Sequence, residues 1–249
     1  MDTNEFFENL VIEENDRERA EKYLKAKGLF FHMQIKNKLL AWTEGQAVRY
    51  SQIASYYRYD KRIRNVLYKY IAYLEECYRA AILDIYFDNT NQQFWIKEIK
   101  EEIDKEIPLN TILEDLGFRK LIKQMKQMPD EIKQKCDFLG RTRLKENTDA
   151  LIVFRNAVMH NKFLLMYKGF SVCFLMNGKV GASLRDNIFN LISFLPQEVG
   201  EKLKEDINGC KKNRNREGET KWDLPQQAIV SLEQGGKRRK KHLPKQKTN

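Results

Sequence analysis

Three residues in the stretch 151–167 carry groups suited to phosphate and acid–base chemistry: Arg155, Asn156 and His160. Apart from these, Asn161 and Lys162, the stretch is almost wholly Leu, Ile, Val, Phe, Met and Ala, the pattern of a helix buried on most of its sides. At about 100° per residue, with Arg155 as zero, Asn156 falls at about 100° and His160 at about 140°, so one arc holds a guanidinium, an amide and an imidazole. Buried polar groups without partners cost roughly 1–3 kcal/mol each. A chain that gathers three of them must satisfy them or use them.

The three suit work on a phosphodiester. Arginine stays cationic and its fork matches phosphate oxygens, so Arg155 is placed to bind the scissile group and stabilise charge that grows there. Histidine titrates near neutrality, so His160 can take a proton from an attacking hydroxyl or give one to a leaving oxygen. Asn156, between them in projection, can orient the ring or a phosphate oxygen. No carboxylate or second histidine stands nearby in sequence to hold a metal. If the 2'-hydroxyl of RNA is the nucleophile, no metal-activated water is required, and cutting is confined to RNA. The alternative is a hydrogen-bonded core network in which nothing reacts.

The order Arg155, Asn156, three residues, His160 resembles the motif of the HEPN superfamily of helical ribonucleases: Arg, four to six residues, then His, often with a polar residue directly after the Arg. Within that superfamily the chain is most similar to the Abi-like (abortive infection) proteins of phage defence. Asp60, Arg64, Glu75 and Arg79 fall in similar register to that family's first long helix, and the likeness spans about residues 20–208. The resemblance implies a metal-independent endoribonuclease without cofactors. It also implies a homodimer in which two motif helices meet across a twofold axis to form one composite site. Some relatives are held in check by a cognate inhibitor protein or noncoding RNA, and others bind RNA without cutting it.

The elements that must position these groups read as helices. Five prolines and twelve glycines in 249 residues, with abundant Lys, Glu, Ile and Leu, favour an all-α chain, and the resemblance makes it a HEPN-like bundle with accessory helices. Helices are expected over 16–27, stopped by Gly28, and over 30–42. After a tyrosine-rich connection, 50–59, Asp60 is expected to cap a long helix to about 87. On that helix Ile63, Leu67, Tyr70, Leu74, Tyr78, Ala81 and Ile85 form one apolar stripe. Its tyrosines read as core and interface rather than as base-stacking platforms, and its Glu75 and Arg79 as an i,i+4 pair. The rival reading is that Glu75, or Arg64, reaches the motif helix and positions His160. His32, with no motif around it, reads as structural or surface.

Further helices are expected over 94–106, from a capping box at Thr111–Glu114 to Gly117, over 118–128 and over 130–138. The motif helix is expected to start at Asn147 or Thr148 and end at Gly169. Asn177-Gly178 between two short apolar runs is the one strand signal, a small hairpin. Helices resume over 184–195 and 197–207.

Charge divides the chain in two. Of 45 Lys and Arg and 35 Asp and Glu, twelve and four lie in 209–249, so a net charge of +10 is mostly that of the last 41 residues. We therefore expect a body, 1–208, and a basic, flexible tail, 209–249, with a short apolar patch from Trp222 to Leu232. In the tail Lys237, Arg238, Arg239, Lys240 and Lys241 form a sequence-independent phosphate contact whose affinity falls with salt. Arg141, Arg143 and Lys145, just before the motif helix, are candidates to guide an RNA backbone, or merely solvate a loop. Four widely spaced cysteines and no C-x-x-C pair suggest a reduced, cytoplasmic chain without structural zinc. No apolar run approaches the roughly 18 to 20 residues that cross a bilayer, and the first residues are not those of a signal peptide.

The expected function is thus an RNA-cutting enzyme of phage defence or a toxin–antitoxin-like system. Two alternatives remain from the residues alone. In one, the arc binds RNA or a regulatory partner without chemistry; in the other, Arg155 and His160 join a buried network at a dimer interface.

Overall fold

One helix of 39 residues, Tyr50–Asp88, is the axis on which the motif helix and most other helices pack. At 1.5 Å per residue it is about 58 Å long, enough to pass beside two separate cores. The computed structural model describes residues 3–88, 94–136, 138, 145–175, 178–215 and 218–232. Among the described residues there are eleven α-helices and three small two-stranded sheets, a mostly helical chain as its composition predicts.

The chain opens with α1 (Thr3–Phe7) and strand β1 (Leu10–Val11). Then come α2 (Glu14–Lys27) and α3 (Leu29–Trp42), separated by Gly28 at φ +87°, a conformation that only glycine adopts freely. Strand β2 (Val48–Arg49) pairs in parallel with β1 and runs into α4 (Tyr50–Asp88). The expected connection over 50–59 is therefore helical, and Asp60 is not a cap: it lies inside α4 with no exposed surface. Tyr56 and Tyr59 are fully buried, so the tyrosines drive this segment into the core as one turn after another of helix.

Past α4 come α5 (Lys97–Ile103), α6 (Leu109–Asp115), α7 (Phe118–Gln127) and α8 (Asp130–Lys135). The expected capping box at Thr111 does not form. α6 starts two residues earlier, behind Pro108, because Leu109 is buried and pulls the first turn with it.

The motif helix, α9 (Lys145–Met159), is followed by β3 (Cys173–Phe174) and β4 (Val180–Gly181), antiparallel partners where a hairpin is expected; Asn177 of the expected turn lies outside the described residues. Asn147 does not cap α9. It sits in the first turn, fully buried, where its side-chain amide exchanges hydrogen bonds with the backbone of Phe174 (3.1 and 2.9 Å) and donates to Asn190 Oδ1 (2.8 Å). The hairpin is thereby fixed to the start of the motif helix.

α10 (Leu184–Ile192) begins with a capping box between Ser183 and Asp186, and α11 (Gln197–Gly209) follows Pro196. The chain does not leave the body at 209. Strands β5 (Lys212–Asn215) and β6 (Gly218–Lys221) pair, a strand signal the sequence does not reveal. Trp222 is buried and donates to the Cys210 carbonyl (2.7 Å), while Tyr59 accepts from the Val230 amide (2.9 Å). The Trp222 to Leu232 patch thus docks on α4 and α11. Lys237, Arg238, Arg239, Lys240 and Lys241 lie outside the described residues.

Two apolar clusters result. The larger joins α4 from Tyr59 onward with α6, α7, α9, α10 and α11. The smaller gathers α1, α2, α3 and the first turns of α4 around Phe6, Ile35 and Tyr56, and Leu165 is packed against both. No helix among the described residues is long and apolar enough to cross a membrane.

Candidate functional site

α9 presents its buried face, Leu151, Ile152, Phe154, Ala157 and Val158, to α4, α7 and α10. Arg155 and Asn156 stand at the edge of that face, half-buried, and His160 is exposed. The helix ends ten residues before the expected Gly169, and the reason is local. Asn161 takes a left-handed conformation (φ +55°), its amide donates to the Val158 carbonyl (3.1 Å), and the Lys162 amide donates to the Ala157 carbonyl (2.9 Å). That pair of bonds is a Schellman terminus with asparagine where glycine is usual, and it places His160 at the last half-helical position.

Glu75 of α4 reaches across to the motif. Its carboxylate, 5% exposed as a residue, accepts from Arg155 Nε (2.7 Å) through one oxygen and from Arg79 Nη2 (3.3 Å) through the other. The i,i+4 pair expected of Glu75 and Arg79 is present, but it is one arm of an Arg–Glu–Arg bridge between two helices. Arg79 Nε donates in turn to the Leu113 carbonyl (3.0 Å), which ties α6 to the same group. Arg155 is further held by Asn156 Oδ1 (3.4 Å) and by the ring of Phe118, 5.5 Å from its Cζ. Its Nη2 has no hydrogen-bond partner among the described residues. Arg155 and Asn156 line an open cleft of about 720 Å³, together with Phe118, Arg119 and Lys120 and the acids Glu98, Glu101, Glu102 and Asp115.

A second carboxylate holds the other end of the motif. Asp60 accepts from the Leu165 amide (2.9 Å) and from Arg64 Nε (2.9 Å), and Arg64 Nη1 donates to both the carbonyl and the side-chain oxygen of Asn161 (3.2 Å each). The Leu165 carbonyl accepts from Lys38 Nζ (2.8 Å) and Tyr56 Oη (3.3 Å). Burial pushes the Asp60 carboxyl up to about 6, against the opposing pull of the Leu165 amide and the Arg64 guanidinium. Arg64 and Glu75 therefore both reach the motif segment, one beside His160 and the other at Arg155.

His160 itself makes no side-chain hydrogen bond among the described residues, so its imidazole is open to solvent and no contact joins it to the guanidinium of Arg155. Lys145 is exposed on the first turn of α9, about 15 Å along the axis from Arg155, and is not brought to it. Arg141 and Arg143 lie outside the described residues. His32 is buried rather than at the surface, bonded at Nδ1 to the Gly28 carbonyl (2.9 Å) and stacked on Tyr57. All four cysteines are unbridged. No group of three His, Cys, Asp or Glu side chains among the described residues is placed to share a metal ion.

Sequence reasoning missed Phe118 and Asn161. Phe118 carried no signal beyond opening a helix; Asn161 carried one, since asparagine two residues past the last apolar position of a helix is a stop mark. No family model, curated protein or solved structure matches the chain.

Proposed function

We propose that the protein is a metal-independent endoribonuclease of the HEPN type, acting as a homodimer on RNA in a phage-defence or toxin–antitoxin-like setting. The observation that carries this reading is the contrast between two groups at the C-terminal end of α9. Among the described residues, Arg155 is fixed by the buried Glu75 with Nη2 left without a protein partner, and five residues on, just past the helix end, His160 is exposed with no side-chain hydrogen bond. A preset cation and an accessible acid–base group are what transphosphorylation needs. In that reaction the RNA 2'-oxygen attacks the adjacent phosphorus as its proton leaves to a base, and the 5'-oxygen departs with a proton from an acid. The products are a 2',3'-cyclic phosphate and a 5'-hydroxyl. Arg155 stabilises the pentacoordinate phosphate, His160 serves as acid or base, and Asn156 keeps the guanidinium in place. One chain offers one histidine here, so the second proton-transfer group comes from a second chain apposed at the same edge.

A cleavage assay tests this: mixed cellular RNA and matched single-stranded DNA, with EDTA, for the parent protein and His160→Ala. We expect RNA-only cutting that survives EDTA and is lost in the variant. Equal cutting by His160→Ala overturns the assignment. The ion pair between Arg155 and Glu75 also favours an architectural reading, in which the motif only braces α9 against α4. That reading predicts that Arg155→Ala lowers stability and that neither protein cuts.

A further inference from the structure

Away from the motif, a cavity of about 170 Å³ opens between α2, α3 and the first turns of α4, walled by Tyr23, Tyr50, Tyr57 and His32. Tyr57 and His32 are stacked nearly parallel, centroids 5.6 Å apart and planes 11° apart, and Tyr50 and His32 are buried. Three cations line the same cavity: Arg19, Lys27 and Arg58. None of them has a carboxylate partner within 4 Å among the described residues, although their neighbours on α2 do: Arg17 pairs with Glu21 and Lys22 with Glu18. All three lining cations are exposed at the rim, and Arg58 Nε donates to the Ala54 carbonyl (3.2 Å). Asp16 is the one carboxylate in the lining, so the walls carry a net charge of +2 with His32 neutral. Burial lowers the His32 imidazole below its ordinary range, with the Gly28 carbonyl opposing, which keeps that wall an uncharged aromatic surface.

Aromatic walls with unneutralised cations call for a ligand that is planar and anionic at once. We propose that this cavity binds a nucleotide, its base against the Tyr57 and Tyr23 rings, its phosphate on Arg19, Arg58 and Lys27, and a sugar hydroxyl within reach of Asp16. Base stacking on aromatic rings is tolerant of sequence, and the arginine forks match phosphate oxygens. The volume suits one base with its phosphate at the open rim. The site lies one ring away from the motif loop, because Tyr57 also packs on Phe163 at 5.8 Å, three residues past His160. The source of the nucleotide is either a free mononucleotide or the terminal residue of an RNA strand. The inference does not depend on the ribonuclease reading.

Calorimetric titration of the full chain tests it without any cleavage readout. The probes are the four nucleoside 5'-monophosphates, adenosine, inorganic phosphate and a 5'-phosphorylated RNA tetramer of non-hydrolysable backbone. We expect saturable binding of at least one monophosphate or of the tetramer, with adenosine and phosphate each weaker by about tenfold or more. Monophosphate binding assigns a free nucleotide; tetramer binding alone assigns an RNA end. Arg19→Glu and Arg58→Glu are each expected to weaken that binding about tenfold. Tyr23→Ala, at a ring 45% exposed and safe to truncate, is expected to weaken nucleotide binding while leaving the weak binding of phosphate unchanged. No saturable binding of any monophosphate or of the tetramer overturns the proposal. So does binding that is indifferent to Tyr23→Ala and to both charge reversals.

Discussion

Two carboxylates of α4 hold the motif segment, and they hold different things. Asp60, fully buried, grips backbone: the Leu165 amide directly and the Asn161 carbonyl through Arg64. Glu75, buried but closer to the cleft, grips a side chain, the guanidinium of Arg155. The first sets where the chain goes after α9; the second sets where a charge sits. A carboxylate that fixes chain path serves stability; under the proposed function, one that fixes a cation at an open edge serves chemistry as well.

The largest expected effect breaks the first grip. Asp60→Ala strips a buried acceptor from two donors at once, and at pH 7 it should cost about 3–5 kcal/mol of stability, read as a shift of the urea midpoint. A cost below about 1 kcal/mol would remove the distinction between the two carboxylates.

The same residue predicts a pH dependence. The folded pKa of Asp60 is raised to about 6 from an ordinary 3.8, so between these values the native state holds a proton that the unfolded chain has lost. The proton-linked part of its contribution is therefore fully present below about pH 4 and lost as the pH climbs through 6, a change of about 3 kcal/mol, while its acceptor role toward Leu165 and Arg64 persists at pH 7. Other carboxyls titrate in that window, so the measurement is differential: stability of the parent minus that of Asp60→Asn, from pH 4 to pH 7. We expect the difference to fall with rising pH, and a flat difference would show that burial does not dominate at Asp60.

Glu75 should behave otherwise. Its two arginines are 21% and 27% exposed at the side chain, so both can be rehydrated when the carboxylate goes. Glu75→Ala is expected to cost about 1–2 kcal/mol, less than Asp60→Ala. Under the proposed function, its RNA cleavage should fall about tenfold more than the lost folded fraction accounts for, because Arg155 is no longer preset. Loss of activity only in step with unfolding would make Glu75 a brace and nothing more.

How much of this was readable in the sequence follows from the range of each interaction. The apolar frame of α9, the stop at Gly28, the antiparallel pairing of β3 with β4 and the helical character of the chain are local signals, and the structure agrees with them. Asp60 was misread because a capping aspartate and an interior one look alike until the partner is known, and its partner Leu165 is 105 residues away. The start of α4 at Tyr50 was missed for a related reason. A run of tyrosines reads as a connection, and only burial of Tyr56 and Tyr59 against two different cores makes it helix. Strands β1 and β2 are two residues each and 38 positions apart in register, too short and too distant to leave a pattern.

The smallest effect concerns the point where the two grips meet the end of α9. Asn161 does two things there: it tolerates φ +55° and its side-chain oxygen accepts from Arg64. Asn161→Ala forfeits both, and left-handed backbone costs an ordinary residue about 1 kcal/mol, so a loss of about 1–2 kcal/mol in a urea titration is expected. Asn161→Gly forfeits only the side-chain acceptor and gains conformational ease, while the backbone carbonyl still accepts from Arg64, so it should lie within about 0.5 kcal/mol of the parent. If glycine proves as costly as alanine, the Arg64 contact to the side chain outweighs the backbone conformation. The Asp60 grip would then hold a side chain after all, as Glu75 does.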